Sequence, residues 1–366
     1  MRNILTPVLF GFCMLLFTGC GTGKAGVFYK KNKATTLLNH LKKNNSKGIM
    51  LGHEDDLAYG VGWKYNGEKK LNSDVHRATG QYPAVLGWDL GRIHASKNID
   101  SVPFKHIREL MLKGHKMGAI NTISWHPFLF GDSISSWTKQ VGLLKTVLPG
   151  EKNHNELVKK LDLVAEFLQS LKLTKHRTIP VIFRPWHEMD GSWFWWGNTY
   201  GTPEEYKQLF VFTVDYLRNT RGLKNLLIAY SPDRHFYSET QYLKFYPGDE
   251  YVDVLGMDNY YDFTEDGDGL DAIVAKLNIV VSTAEKRGKL AAFTETGSDG
   301  VKDPTWFTQK LGKVLESNNL MSKLSYVLLW RNRDSEHFYV PYKGHPAFQD
   351  FIDFTKNDKV LLLKNK

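Results

Sequence analysis

Cysteine is almost absent: the 366-residue chain has two, Cys13 and Cys20, both near its start. A chain cut just before Cys20 therefore contains no internal disulfide and must rest on a packed core. Long apolar runs are missing too, since the stretch from Val8 to Phe17 is too short to span a bilayer. Blocks of one charge are likewise absent. The formal charge is +9, but Lys and Arg are scattered, with local clusters only at Lys30-Lys31, Lys42-Lys43 and the 359–366 tail. No helix-turn-helix, zinc-finger or RNA-binding motif accompanies the charge, which argues against nucleic acid as a partner. There is no internal repeat or low-complexity tract between 35 and 357. With 42% hydrophobic and 24% charged residues the chain reads as globular, long enough for one large barrel or two ordinary domains.

Arg2, the apolar run and the small pair Thr18-Gly19 read as an export signal over 1–19. Leu16-Phe17-Thr18-Gly19-Cys20 resembles a bacterial lipoprotein lipobox, with Phe17 where Leu is usual. The resemblance implies cleavage before Cys20, acylation of that cysteine, and a lipid anchor facing the periplasm or lying on the outer-membrane surface. Residues 20–34 then form the acylated cysteine and a Gly-rich linker, and 35–366 a single domain.

Beyond the linker, short apolar runs alternate with helical segments, the rhythm of parallel βαβ units. Strands are expected at 48–51, 84–86, 117–123, 180–183, 226–229, 252–257, 290–293 and 325–329. Helices are expected at 104–113, 155–171, 203–220, 270–286 and 305–317. Eight units over some 320 residues fit an α/β fold of the (β/α)8 TIM-barrel type better than a doubly wound sheet. Polar and aromatic groups follow each run, including His53, Trp88-Asp89, His126, Arg184 to Glu188, Asp258 to Tyr260, Glu295 and Trp330-Arg331. In a barrel these converge on the C-terminal face, where active sites lie.

Glu188 and Glu295 follow the fourth and seventh runs, and two carboxyl groups facing each other suit glycosidic cleavage. Around Glu188, six Phe or Trp residues fall within 183–197, a density that suggests a sugar-stacking loop, with one or two of the rings filling the barrel's outer layer. Arg184-Pro185-x-His187-Glu188-Met189-x-Gly191-x-Trp193-Phe194-Trp195-Trp196-Gly197 resembles the acid/base signature of glycoside hydrolase family 26. That family consists chiefly of retaining β-mannanases of (β/α)8 fold. The resemblance implies Glu188 as acid/base and Glu295 as nucleophile. It implies substrate contacts from His126, His187, Trp193 on the leaving-group side, Tyr260, Trp330 and Arg331, with Trp88, Asp89 and His53 as further assignments. Arg184 and Tyr260 would keep Glu295 charged. Asp190 departs from the family's usual Asn; its charge would either raise the pKa of Glu188 or touch only the surface.

No cofactor or metal is expected. His187-Glu188 is not a zincin start, because Gly191 stands where the second histidine is needed. The acidic 262–271 segment has Ile273 where an EF-hand needs a bidentate Glu, and reads instead as a mobile loop over the cleft. The expected activity is double-displacement cleavage of internal β-1,4 bonds in mannan, glucomannan or galactomannan. The same chemistry on β-1,3-xylan or mixed-linkage glucan, or a non-catalytic glycan-binding lipoprotein, are the alternatives.

Overall fold

The computed structural model describes residues 33–44 and 47–363. The expected signal at 1–19, the Cys20 anchor and most of the linker lie outside these residues. Eight parallel strands form one closed sheet: β1 Ile49–Glu54, β2 Val85–Asp89, β3 Ile120–Trp125, β4 Val181–Pro185, β5 Leu226–Tyr230, β6 Val254–Asn259, β7 Leu290–Thr296 and β8 Leu324–Leu329. Pairing of β8 with β1, from Met50 opposite Tyr326 to His53 opposite Leu329, closes the barrel. A helical segment follows every strand, as the (β/α)8 reading expects. The long ones are α2 Phe104–Met117, α3 His154–Ser170, α4 Pro203–Asp215 and α5 Leu270–Arg287.

Strand alternation sorts the core into two layers. Met50, Val85, Ile120, Ile182, Leu227, Val254, Leu290 and Tyr326 pack inside the barrel. The alternate positions, such as Leu51, Leu86, Ile123, Phe183 and Leu255, pack outward under the helices. The lower end of the barrel is closed by α1 (Lys33–Asn44), which adds Ala34, Leu37 and Leu41 to the inner layer. The upper end is polar. Moving up from Val85, Val254 and Ile182 by two or four positions leads to Asp89, Asp258 and Arg184, all buried at the mouth.

Local signals set the helix ends. Thr202 and Glu205 form a reciprocal capping box ahead of α4, with Pro203 in its first turn. The expected strand at 117–123 begins three residues late, because Met117 closes α2 and Gly118 caps it at φ 108°. Several strands also run further than their apolar stretches.

The strand that carries Glu295 is irregular. Met257 pairs with Phe293 but Asp258 pairs with Glu295, so one extra residue is accommodated in β7 at Thr294. The Thr294 side chain fills the space over Gly256, where a Cβ would come within 2.5 Å of it. Its hydroxyl donates to the Met257 carbonyl (2.9 Å). In a regular strand Thr294 and Glu295 would face opposite sides; the bulge turns both toward the barrel mouth.

Candidate active site

Glu188 stands three residues past β4 on a contorted backbone, with Trp186 and Glu188 both in the left-handed region (φ 56° and 54°). Such conformations cost on the order of 1–3 kcal/mol each and persist where the surroundings enforce them. Here the Glu188 N–H donates to Ser231 O (2.8 Å) and Trp186 is locked in the core, its indole donating to Thr213 (3.0 Å). Glu295 lies within β7 rather than after it, 4% exposed.

Oxygens of Glu188, Asp258 and Glu295 all lie within 4.8 Å of one another. The cation among them is Arg184 of β4. Its Nη1 donates to Asp258 (2.6 Å) and Ser231 Oγ (3.0 Å), and its Nη2 donates to Glu295 Oε1. Tyr260 OH donates to the other Glu295 oxygen (2.9 Å). Both oxygens of Glu295 are thus engaged by donors, which favours its charged form. Glu188 differs: its one close donor among the described residues is the Trp193 indole (2.5 Å). Burial, followed by the nearby charges of Asp258 and Asp233, holds its pKa well above the usual carboxylate range. Two carboxyl groups in one cleft are therefore driven toward opposite protonation states, the arrangement that separates an acid from a nucleophile.

Asp190 is not among the main charges acting on Glu188. It accepts the backbone N–H of Asp233 (2.6 Å) and of His235 (3.0 Å), pinning the loop after β5. Burial raises its own pKa to about 6, and burial together with Asp190 raises that of Asp233 to about 8. The effect on Glu188 expected of Asp190 thus comes from Asp233, on the loop that Asp190 holds.

His126 follows β3, with Nδ1 2.6 Å from Asp89, which also accepts from Ser124 Oγ (2.9 Å) and the Gly91 N–H (2.5 Å). Asp89 is thereby an orienting partner of His126. The imidazole lies flat on Trp137 (centroids 5.1 Å, 10° between planes) and edge-on to His187 (4.7 Å). His187 is buried; burial, with Arg184 and His126 alongside, drives its pKa well down, and its Nδ1 has no partner among the described residues. Trp330 and Arg331 follow β8, partly open, with Arg331 3.2 Å from Asp100.

Three expectations are corrected. Trp88 is fully buried and points outward between sheet and helices, donating to Asn121 (2.8 Å), because Asp89 takes the inward position beside it. His53 is 1% exposed and clamped between Asp56 (2.7 Å) and Asn332 (3.3 Å), bracing the loops after β1 and β8 instead of lining the cleft. In the aromatic stretch, Phe183, Trp186, Phe194, Trp195 and Trp196 are all buried, and only Trp193 is partly open. That density is mostly packing, for five of the six rings. In addition, the 262–271 loop is tied down at its start, where Asp262 accepts from Asn259 (2.7 Å) and Lys276 (2.6 Å).

The sequence reading gave no role to Asp258, Asp233 or Trp137. Asp258, on β6, had a signal, standing two residues before Tyr260, which follows that strand; Trp137 sits in the loop after β3 with no motif around it.

With this geometry in place, comparison with known proteins is direct. Residues 29–328 match the model of glycosyl hydrolase family 26, and the chain belongs to that family. A mannan endo-1,4-β-mannosidase of Bifidobacterium adolescentis is 34% identical over 351 residues, covering 87% of this chain, which spans only 34% of that relative's length. One from Bacillus subtilis strain 168 is 32% identical over 279 residues, 71% of this chain and 68% of the relative. Among solved structures, a GH26 β-mannanase from Bacteroides ovatus superposes with a TM-score of 0.85 at 39% identity, over 91% of this chain and 96% of that one.

Proposed function

We propose that the protein is a retaining endo-β-1,4-mannanase, with Glu188 as acid/base and Glu295 as nucleophile. The observation that carries this reading is the carboxyl pair at the barrel mouth, its oxygens within 4.8 Å, with Glu295 fixed by Arg184 and Tyr260 while burial pushes the pKa of Glu188 well up. Retaining enzymes set their carboxyl groups about 5–5.5 Å apart, whereas inverting ones leave room for a water between them. The related mannosidases and the similar β-mannanase support mannan as the substrate class.

In the first step Glu295 attacks the anomeric carbon while Glu188 gives its proton to the departing oxygen, leaving a glycosyl ester on Glu295 and releasing the leaving-side fragment. Esterification removes the charge of Glu295, which eases ionisation of Glu188 nearby. Glu188 then takes a proton from water as that water attacks the anomeric carbon, breaking the ester and restoring both groups. His126, oriented by Asp89, and His187 would meet hydroxyls of the reactive sugar, Trp330 would stack under it, and Arg331 would reach the neighbouring unit. Trp193, bonded to Glu188, would face the leaving side.

The leader supports a further reading: cleavage before Cys20 and acylation there would tether the enzyme to the cell envelope of a bacterium, facing the periplasm or on the outer-membrane surface. Radiolabelled palmitate incorporation into wild type but not Cys20→Ala tests it. The catalytic reading is tested by reducing-end release from galactomannan, glucomannan, β-1,3-xylan and mixed-linkage glucan. Release from mannans supports it, and release from another glycan alone would move the specificity.

A further inference from the structure

Among the described residues, the large apolar side chains left exposed are Phe130, Trp137, Val141, Tyr237 and Tyr261. All five lie on loops that follow barrel strands, on the face that carries Glu188 and Glu295. Tyr261 is the one continuous with the catalytic groups on two sides. It directly follows Tyr260, which bonds Glu295. From the other side, Trp193 donates to Glu188, its ring lies 6.1 Å from that of His235, and the adjoining Arg234 sets its guanidinium carbon 4.2 Å from the Tyr261 ring centroid.

Arg234 is itself held. Its Nη1 lies 3.5 Å from Asp233 and its Nε 3.8 Å from Asp262. Tyr261 is 45% exposed, and its hydroxyl meets no hydrogen-bond partner among the described residues. A tyrosine kept for packing would bury its ring and satisfy its hydroxyl. Here one face is fixed by a restrained cation and the ring is offered to solvent, an ordered apolar plate that a ligand can stack on with little loss of side-chain freedom.

We propose that Tyr261, braced by Arg234, is a stacking platform for a mannosyl unit of the leaving chain beyond the one next to the cleaved bond. The inference rests on the mannanase reading above, because Glu188 protonates the leaving oxygen and the path Glu188–Trp193–His235–Arg234–Tyr261 therefore runs toward the leaving side. Tyr237 stands on the same loop after β5 as Arg234, its ring 4.8 Å from Lys276 Nζ and its hydroxyl donating to Asp268 (2.9 Å). The platform makes the enzyme selective for long chains.

The test compares wild type, Tyr261→Ala and Tyr261→Trp on mannohexaose and on an aryl β-mannobioside, whose leaving group has no second sugar. Tyr261→Ala is expected to lower kcat/KM on the hexaose roughly five- to tenfold, chiefly through KM, with the aryl substrate unchanged and Tyr261→Trp restoring the hexaose rate. An unchanged hexaose rate, or an equal loss on both substrates, overturns the platform. Wild type inert on both overturns the mannanase reading itself, and this inference with it.

Discussion

The Arg184 guanidinium joins two buried carboxylates, giving one nitrogen to Asp258 at 2.6 Å and the other to Glu295. Removing it by Arg184→Met leaves both acids buried without a cation, a change that typically costs about 3–5 kcal/mol. Even with Arg184 present, burial raises the Asp258 pKa to about 6. A folded-state pKa above the unfolded one means that the folded form binds more protons between about pH 4 and 6, so stability falls as pH rises through that window. Without Arg184 the window extends further upward. Thermal melts of Arg184→Met should therefore show a large Tm loss at pH 7 that shrinks toward pH 4.5; a pH-independent loss contradicts the pairing.

The raised pKa of Glu188 fixes the alkaline side of the pH profile. As an acid it must be protonated, so kcat/KM falls as pH rises through its pKa. Asp233 is one of the charges that raise it. Asp233→Asn is expected to move the alkaline limb of kcat/KM to lower pH, with the protein still folded. An unmoved limb would place the controlling charge elsewhere.

Glu188→Ala separates the acid from the nucleophile. Loss of a general acid lowers the rate roughly 10²–10⁴-fold where the leaving group needs a proton. The loss should appear in full on mannan and be much smaller on a dinitrophenyl β-mannobioside, whose leaving group departs unprotonated. Equal losses on both substrates would deny Glu188 the acid role.

Much of the architecture is legible from the sequence, and its failures share a cause. All eight barrel strands coincide with expected apolar runs, yet β1, β2, β3, β4, β6 and β7 run two or three residues beyond them. An apolar run ends at the first polar residue, whereas a barrel strand continues into a polar mouth through Glu54, Asp89, Arg184 and Glu295. Glu188 and Glu295 are visible as acids after strands. The bulge that turns Glu295 inward is not, since it depends on the fit of Thr294 over Gly256 across two strands. Trp88 shows the reverse error. Period-two alternation with Asp89 already sends it to the outer layer, but proximity to an acid suggested a sugar contact.

That correction is itself testable. Trp88→Phe removes the hydrogen bond to Asn121 and part of a packed ring, and should lower Tm while leaving KM for mannan unchanged. A several-fold rise in KM with intact stability would return Trp88 to the substrate site.

The central claim is a double displacement through Glu295, and early product stereochemistry reads it most directly. Proton NMR of manno-oligosaccharides released in the first minutes from mannohexaose should show the β-anomer at the new reducing end, mutarotating later to the equilibrium mixture. Glu295→Ala should reduce that release by at least ~10³-fold. Early α-anomers, or β-product formed undiminished by Glu295→Ala, would contradict the account.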